Sequence, residues 1–139
     1  MIYVLDACAL IAFLNEERGS GFETVDNLFV RAGAGEISLC MNAVNLVEVY
    51  YNFIRSDGQT VADEIMRGID ALPIEYITDM DSGIRSEAAR FKACYPMSLA
   101  DAFLCATAKS CSAAAVTKDT EIEAAEQSEN ISVLWIDRP

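Results

Sequence analysis

The sequence contains no histidine. That removes the commonest general base, the Ser-His triad, histidine-based zinc sites and any ribonuclease mechanism working through a histidine pair. Basic residues are scarce: ten Lys and Arg stand against 22 Asp and Glu, for a net charge of −12. Non-specific nucleic-acid binding normally rests on an excess of Lys and Arg, so on charge alone nucleic acid is an unsuitable ligand. Two arrangements escape that conclusion. Acids gathered around divalent cations would reverse the local field, and a basic protein partner would use the negative surface directly. No run of 18 apolar residues occurs, and the first apolar stretch is broken by Asp6 with no basic residue ahead of it. Neither a membrane span nor a signal peptide is expected, and the cytoplasm is the expected location. The five cysteines (Cys8, Cys40, Cys94, Cys105, Cys111) are odd in number and show no C-x-x-C spacing, which argues against a disulfide framework or a zinc knuckle and for small core residues. Hydrolysis by this chain has to run on carboxylates, metals, cysteine or lysine.

What is present fits one soluble globular domain over residues 1–139, with 53% hydrophobic and 23% charged residues. Apolar runs alternate with helical patterns. Strands are expected at residues 2–5, 37–40, 74–77, 113–116 and 131–136. Helices are expected at 7–16, 22–34, from an N-cap at Asn42 to 54, from the Asp57-Gly58 turn to 71, at 81–94, from Ser98 onward, and at 120–127. Gly19-Ser20-Gly21, Pro73 and Tyr95-Pro96 mark breaks. Short strands separated by helices pair in parallel, because a crossover helix returns the chain to the same edge. The expected fold is a three-layer α/β/α sandwich around a mostly parallel sheet of about five strands, with ligands just beyond the carboxyl ends of the strands. Asp6 and Asp119 belong on that rim.

Each acid near that rim has an ordinary explanation. Ser98 with Asp101 three residues later has the form of a capping box, in which the carboxylate bonds the N-cap amide. Asp119 precedes a helical pattern and could be nothing more than its N-cap. Glu48 shares a narrow stripe with Asn45, Asn52 and Arg55, as on a solvated face. Asp6 could cap the helix after it, but it directly ends a wholly apolar strand. Asp101 is also awkward for water, since a helical projection sets it between Leu104, Cys105 and Ala108.

Taken together, Val4-Leu5-Asp6, Asn45-x-x-Glu48, Ser98-Leu-Ala-Asp101-Ala and Thr117-x-Asp119 resemble, in type and order, the motifs of the PIN-domain ribonucleases. The likeness is greatest to the toxins of VapBC-type toxin and antitoxin pairs, and it spans essentially the whole chain. It is most specific at residues 98–102 and weakest around Glu48. Two departures stand out. Where this family often has a hydroxyl or amide side chain within two residues of the first acid, this sequence has Ala7 and Cys8, which removes an expected polar partner of Asp6. Where an aromatic residue often follows the fourth acid, Thr120-Glu121-Ile122 offers an extra carboxylate, whose plainer role is an exposed first-turn acid suiting the helix dipole.

Carboxylates about 4 Å apart repel by roughly 4 kcal/mol at an effective dielectric near 20, so gathering several requires a counter-charge or protonation. An all-oxygen site suits Mg²⁺ or Mn²⁺ better than zinc or copper, and the resemblance implies the same metals. It further implies hydrolysis of RNA phosphodiester bonds, leaving a 5′-phosphate and a 3′-hydroxyl. Asp6, Asp101 and Asp119 would be metal ligands and Glu48 a ligand or an orienter of the attacking water, with Ser98 and Thr117 holding carboxylates from behind. Lys118, the nearest basic residue in sequence, is the first candidate to grip a phosphate. The resemblance also implies a basic antitoxin as partner, and a homodimer by analogy. Phe13, Leu14, Val47, Tyr50, Tyr51, Phe53 and Ile54 are candidate apolar surface for either, with the core as the plain alternative. Two other acidic-rim folds fit less well. A phosphoacceptor receiver domain needs an acid pair and a late lysine that are absent, and in a haloacid-dehalogenase-like phosphatase Cys8 would occupy the second Asp position. A non-catalytic PIN-like binding domain stays open beside the enzyme.

Overall fold

The computed structural model describes residues 1–19 and 21–138. Ser20, inside the expected Gly19-Ser20-Gly21 break, lies outside the described residues. In chain order the elements are β1 (Ile2–Leu5), α1 (Ala7–Leu14), α2 (Phe22–Gly33), β2 (Ser38–Asn42), α3 (Ala43–Asp57), α4 (Gln59–Gly68), β3 (Glu75–Ile77), α5 (Ser82–Cys94), α6 (Leu99–Ser110), β4 (Ala114–Thr117), α7 (Glu123–Glu129) and β5 (Val133–Trp135). The strands form one sheet ordered β3-β2-β1-β4-β5. All four pairings are parallel, so the sheet is parallel throughout.

Two-residue periodicity within the strands separates the two helical layers. Leu5, Leu39, Met41 and Val116 point into a core shared with α1 to α4. Their neighbours Val4, Cys40 and Ala115 point the other way, into a core of α5, α6 and Ala125 of α7. With both faces covered, the strands can be apolar without alternation, which is how their short runs read.

Several element ends differ from the periodicity. α1 stops at Leu14, ahead of residue 16, because Asn15 caps it and Glu16 takes a positive φ of 49°. α3 continues past Ile54 to Asp57, where Gly58 at φ 88° ends it. The helix expected up to Ala71 closes as α4 at Gly68, followed by a 3₁₀ turn over Ile69–Ala71. The helix expected from Thr120 starts as a 3₁₀ turn over Thr120–Ile122 and runs on to Glu129, where left-handed Asn130 stops it. The candidate apolar surface is also smaller than its composition suggests. Phe53 is core, and Phe13 packs its ring 4.2 Å from that of Phe29, whereas Val47 and Tyr51 stay exposed at 62% and 40%.

The sheet order fixes where a site can form. From β1 the chain winds outward to β2 and β3 on one side, then returns to build β4 and β5 on the other. The connections leaving β1 and β4 therefore diverge, opening a crevice at their carboxyl ends. Asp6 follows β1 directly, and Thr117 ends β4. The register pairs Leu5 with Val116, and the Asp6 amide donates to the Val116 carbonyl at 3.0 Å, which sets Asp6 beside Thr117. α6 starts over the same edge. Ser98 caps it, and its middle is buried through Leu104 to Ala108.

Candidate metal centre

Asp6 is 3% exposed, and both its oxygens are held. Oδ1 accepts the Ala7 amide at 2.7 Å, and Oδ2 accepts the Thr117 hydroxyl at 2.6 Å. The Cys8 thiol donates to Oδ2 as well, at 3.4 Å, and lies 3.6 Å from Thr117 Oγ1. The expectation that Ala7 and Cys8 leave Asp6 without a polar neighbour is thus corrected. A thiol reaches where a hydroxyl or amide often sits. Burial, followed by the Asp6 charge, pushes that thiol up to about 12, so it stays protonated and able to donate. Burial likewise raises Asp6 itself, opposed by the bonds from Thr117, Cys8 and Ala7.

Thr117 joins two acids. While its hydroxyl donates to Asp6, its oxygen accepts the Asp119 amide at 2.9 Å. Asp119 Oδ1 in turn accepts the Glu121 amide at 3.0 Å, so Asp119 does cap the short helical turn that follows. Replacing Thr117 by Val removes the donor to Asp6 and the acceptor for Asp119 at nearly constant volume. Loss of such a supporting bond typically costs 10–100-fold in metal affinity or activity. We expect Thr117→Val to weaken Mn²⁺ binding by that factor in calorimetric titration.

Asp101 departs from the capping box. Ser98 Oγ accepts the Asp101 amide at 3.1 Å, as the motif requires, but the reciprocal bond is missing. The Ser98 amide donates instead to Glu121 Oε2 at 3.0 Å. Asp101 is left 2% exposed with Oδ2 unpartnered. Among the described residues the other buried side-chain atom without a partner is Asn45 Oδ1, also an acceptor. Burying an acceptor without a donor is costly, and the Asp101 oxygen so placed wants a donor or a cation.

Carboxylate oxygens of Asp101, Asp119 and Glu121 lie within 4.8 Å of one another. Unit charges at that separation repel by about 3–4 kcal/mol per pair at a dielectric near 20. Burial, the Asp6 charge and the bond to Glu121 lift Asp101 far above the ordinary carboxylate range, with Asp119 adding and Ser98 opposing. Half-buried Glu48 is raised by burial and then by the charges of Asp6 and Asp119. Of the four acids singled out in the sequence, Asp101 and Asp119 share this cluster with Glu121, which remains an exposed acid of the first helical turn, while Asp6 and Glu48 meet the cluster through mutual repulsion.

The stripe that made Glu48 look like part of a solvated face is not one at its inner end. Asn45 is fully buried, and its Nδ2 donates to the Ala100 carbonyl at 3.1 Å, tying α3 to the start of α6. Asn52 donates back to the Glu48 carbonyl at 2.8 Å. The Lys118 ammonium pairs at the surface with Glu17 at 3.6 Å. Three oxygen donors, a buried unpartnered carboxylate oxygen and no histidine suit a hard divalent cation such as Mg²⁺ or Mn²⁺.

A parallel three-layer fold with acids gathered at its switch point defines a class of proteins with a carboxylate-lined rim. Residues 3–127 match the PIN domain family, and the chain belongs to it. Solved structures similar to it include three toxin-system proteins. VapBC2 from Rickettsia felis, bound to a DNA fragment from their promoter, is 16% identical over 96% of this chain and 98% of its own, with a TM-score of 0.73. VapC20 from Mycobacterium tuberculosis, described as a Sarcin-Ricin loop cleaving toxin, is 18% identical over 90% of this chain and 95% of its own, at a TM-score of 0.65. VapBC-5 of the same organism, from the VapBC family of toxin-antitoxin systems, is 14% identical over 97% and 98%, at 0.61. No curated protein sequence matches the chain. Among the described residues no helix is long and apolar enough to cross a membrane.

Proposed function

We propose that this chain is a Mg²⁺- or Mn²⁺-dependent endoribonuclease and the toxin of a type II toxin–antitoxin pair. The observation that carries the reading is the buried, unpartnered Oδ2 of Asp101, in a carboxylate cluster at the β1/β4 switch point. PIN membership and the likeness to VapBC structures support it. Asp6, Asp101 and Asp119 would hold the cation, which when bound supplies the positive charge that acidifies water and steadies the phosphoryl group.

The chain's own groups do the rest. Asp6 Oδ1 accepts only the Ala7 amide and has a second lone pair left for a ligand, while Thr117 and Cys8 hold Oδ2, so the hydrogen bonds fix the carboxylate without consuming it. Thr117 sets the separation of Asp6 and Asp119, and Ser98 fixes the first turn of α6 beneath Asp101. Glu48, raised by burial and its neighbours, orients the attacking water and accepts its proton more readily than an ordinary carboxylate. Water adds to phosphorus as its proton passes to Glu48, the bond to the 3′ oxygen breaks, and that oxygen takes a proton from solvent, leaving a 5′-phosphate and a 3′-hydroxyl.

A basic antitoxin suits a chain of net charge −12, and exposed Val47 and Tyr51 on α3 offer it, or a second copy of the chain, apolar contact. Five free cysteines suit the reducing cytoplasm. The test is cleavage of an RNA panel, including ribosomal RNA fragments bearing the Sarcin-Ricin loop, with and without Mn²⁺, by wild type and Asp101→Asn. Cleavage that needs both Mn²⁺ and Asp101 supports the nuclease. RNA binding without cleavage under any metal would make the chain a non-catalytic binding domain.

A further inference from the structure

Nothing in the spacing of the five cysteines pairs them, but the fold brings Cys40 of β2 and Cys111 at the end of α6 to one seam of the core. Asn42, at the end of β2, donates through Nδ2 to Thr107 Oγ1 of α6 at 2.9 Å. Higher on the same seam Asn45 of α3 donates to the Ala100 carbonyl at 3.1 Å, so α6 descends alongside the strand as β2 climbs. One step below the Asn42–Thr107 contact, the strand presents Cys40, two residues back on the same face and about 6.6 Å away. The same step down the helix reaches Cys111, four residues on along the same side and about 6.0 Å away. The two steps match. The helical turn is intact there, because the Cys111 amide donates to the Thr107 carbonyl at 2.9 Å. Cys40 is 4% exposed and its thiol donates to the Tyr3 carbonyl at 3.6 Å, whereas Cys111 is half-buried.

We infer that Cys40 and Cys111 form a redox-active dithiol, which a peroxide converts into a disulfide within the chain. Burial, followed by the adjacent Cys111 thiol, pushes Cys40 up to about 12, so it stays protonated and is not the group that meets the oxidant. Cys111, open to solvent in part, is the entry point. Its thiolate sulfur attacks one peroxide oxygen, the O–O bond breaks, and a sulfenic acid forms while the other oxygen leaves as water with the thiol's proton. The Cys40 sulfur then attacks the Cys111 sulfur, the S–O bond breaks, and the departing hydroxide takes the Cys40 proton as a second water. Both sulfurs are oxidised and both peroxide oxygens reduced. The bond would close residues 41–110 into a loop, which removes conformations from the unfolded chain. It would also brace α6, which carries Asp101, against the strand that leads to Glu48. In a reducing compartment such a bond is transient, as suits a sensor rather than a permanent staple. None of this depends on the nuclease reading.

The test is a peptide map of the full chain after treatment with hydrogen peroxide, with remaining thiols blocked by N-ethylmaleimide in denaturant and no reductant added. Wild type is compared with Cys111→Ser and with a control, Cys94→Ser, which removes an exposed thiol elsewhere. In wild type and Cys94→Ser the expected product is the Cys40 and Cys111 peptides linked within one chain, about 2 Da lighter than their sum and separated by dithiothreitol. In Cys111→Ser, Cys40 should instead carry the maleimide. Oxidised wild type should melt several degrees above the reduced protein. Five thiols still free, Cys111 halted at sulfenic or sulfinic acid with Cys40 free, or Cys111 joined only to another cysteine or to a second chain would each overturn the pairing. So would a linked protein that melts no higher than the reduced one, since a bond that distorts the fold is not a built-in site. Should Cys111→Ser fail to fold by circular dichroism, the maps of wild type and Cys94→Ser decide.

Discussion

Asp101→Asn is expected to lower Mn²⁺-dependent RNA cleavage by about 10³-fold or more while making the metal-free protein harder to melt at pH 8. Activity and stability move in opposite directions because the same crowding serves one and opposes the other. A metal at such a site contributes several kcal/mol of transition-state charge stabilisation, and each 1.36 kcal/mol is tenfold in rate. Removing the most buried of the acids, at 2% exposure, weakens the hold on the metal and forfeits most of that contribution. In the metal-free protein, Asn at this position carries no charge against Asp6 and Asp119. At about 1 kcal/mol per 2–8 °C, relief of a few kcal/mol should raise the melting temperature by roughly 5 °C or more. Initial rates on a cleaved RNA and thermal melts in EDTA read the two halves. A variant that is both inactive and less stable would mean that Asp101 is structural.

The second large effect is a pH dependence of stability that the cation reverses. In the folded protein the Asp101 pKa is raised to about 8, above its unfolded value near 4. Between those values the folded state holds more protons than the unfolded one, so stability is full below about pH 4 and falls as pH rises toward 8. Asp6 and Glu48 are raised too and act in the same direction. The opposing groups finish earlier. Glu129, held down to about 2 by the Arg90 guanidinium, gains its stabilising effect as pH rises through the ordinary glutamate range and is complete near pH 5. Between pH 5 and 8 the acid cluster therefore sets the slope. The metal-free protein should melt several degrees lower at pH 8 than at pH 5, and Asp101→Asn should flatten the difference. Because the cation needs deprotonated ligands, Mn²⁺ should raise the melting temperature more at pH 8 than at pH 5, by about 2.7 kcal/mol of stability at 100 times its Kd. A metal-free protein as stable at pH 8 as at pH 5 would contradict the crowding.

Much of this architecture was legible from residue pattern. Five apolar runs separated by helical periods admit little but a covered parallel sheet, and Asn42, Asp81 and Ser98 cap the helices they precede. Element ends were less so, since they turn on φ values at Glu16, Gly58 and Asn130 that single residues adopt in context. Four acids in order were legible as candidates, and two of them, Asp6 and Asp119, follow adjacent strands, where the topology alone brings them together. Its wiring was hidden. Ser98 and Asp101 read as a closed pair, and nothing local says that Glu121 will take the Ser98 amide, since that bond exists only once α6 lies over β4. Cys8 was misread for a related reason. A thiol is a poor donor in isolation and becomes a useful one only when burial keeps it protonated beside Asp6. Phe13 and Phe53 stayed open between core and surface in the sequence because helical stripes do not say which stripe meets the sheet, and both pack in the core.

The central claim is that these carboxylates converge on a divalent cation, and anomalous difference density from a crystal soaked in Mn²⁺ near pH 8 tests it most directly. The account predicts a peak ligated by Asp101 with Asp6 and Asp119 around it. A saturating soak with no peak among these carboxylates, or with Mn²⁺ bound only elsewhere on the surface, would contradict it.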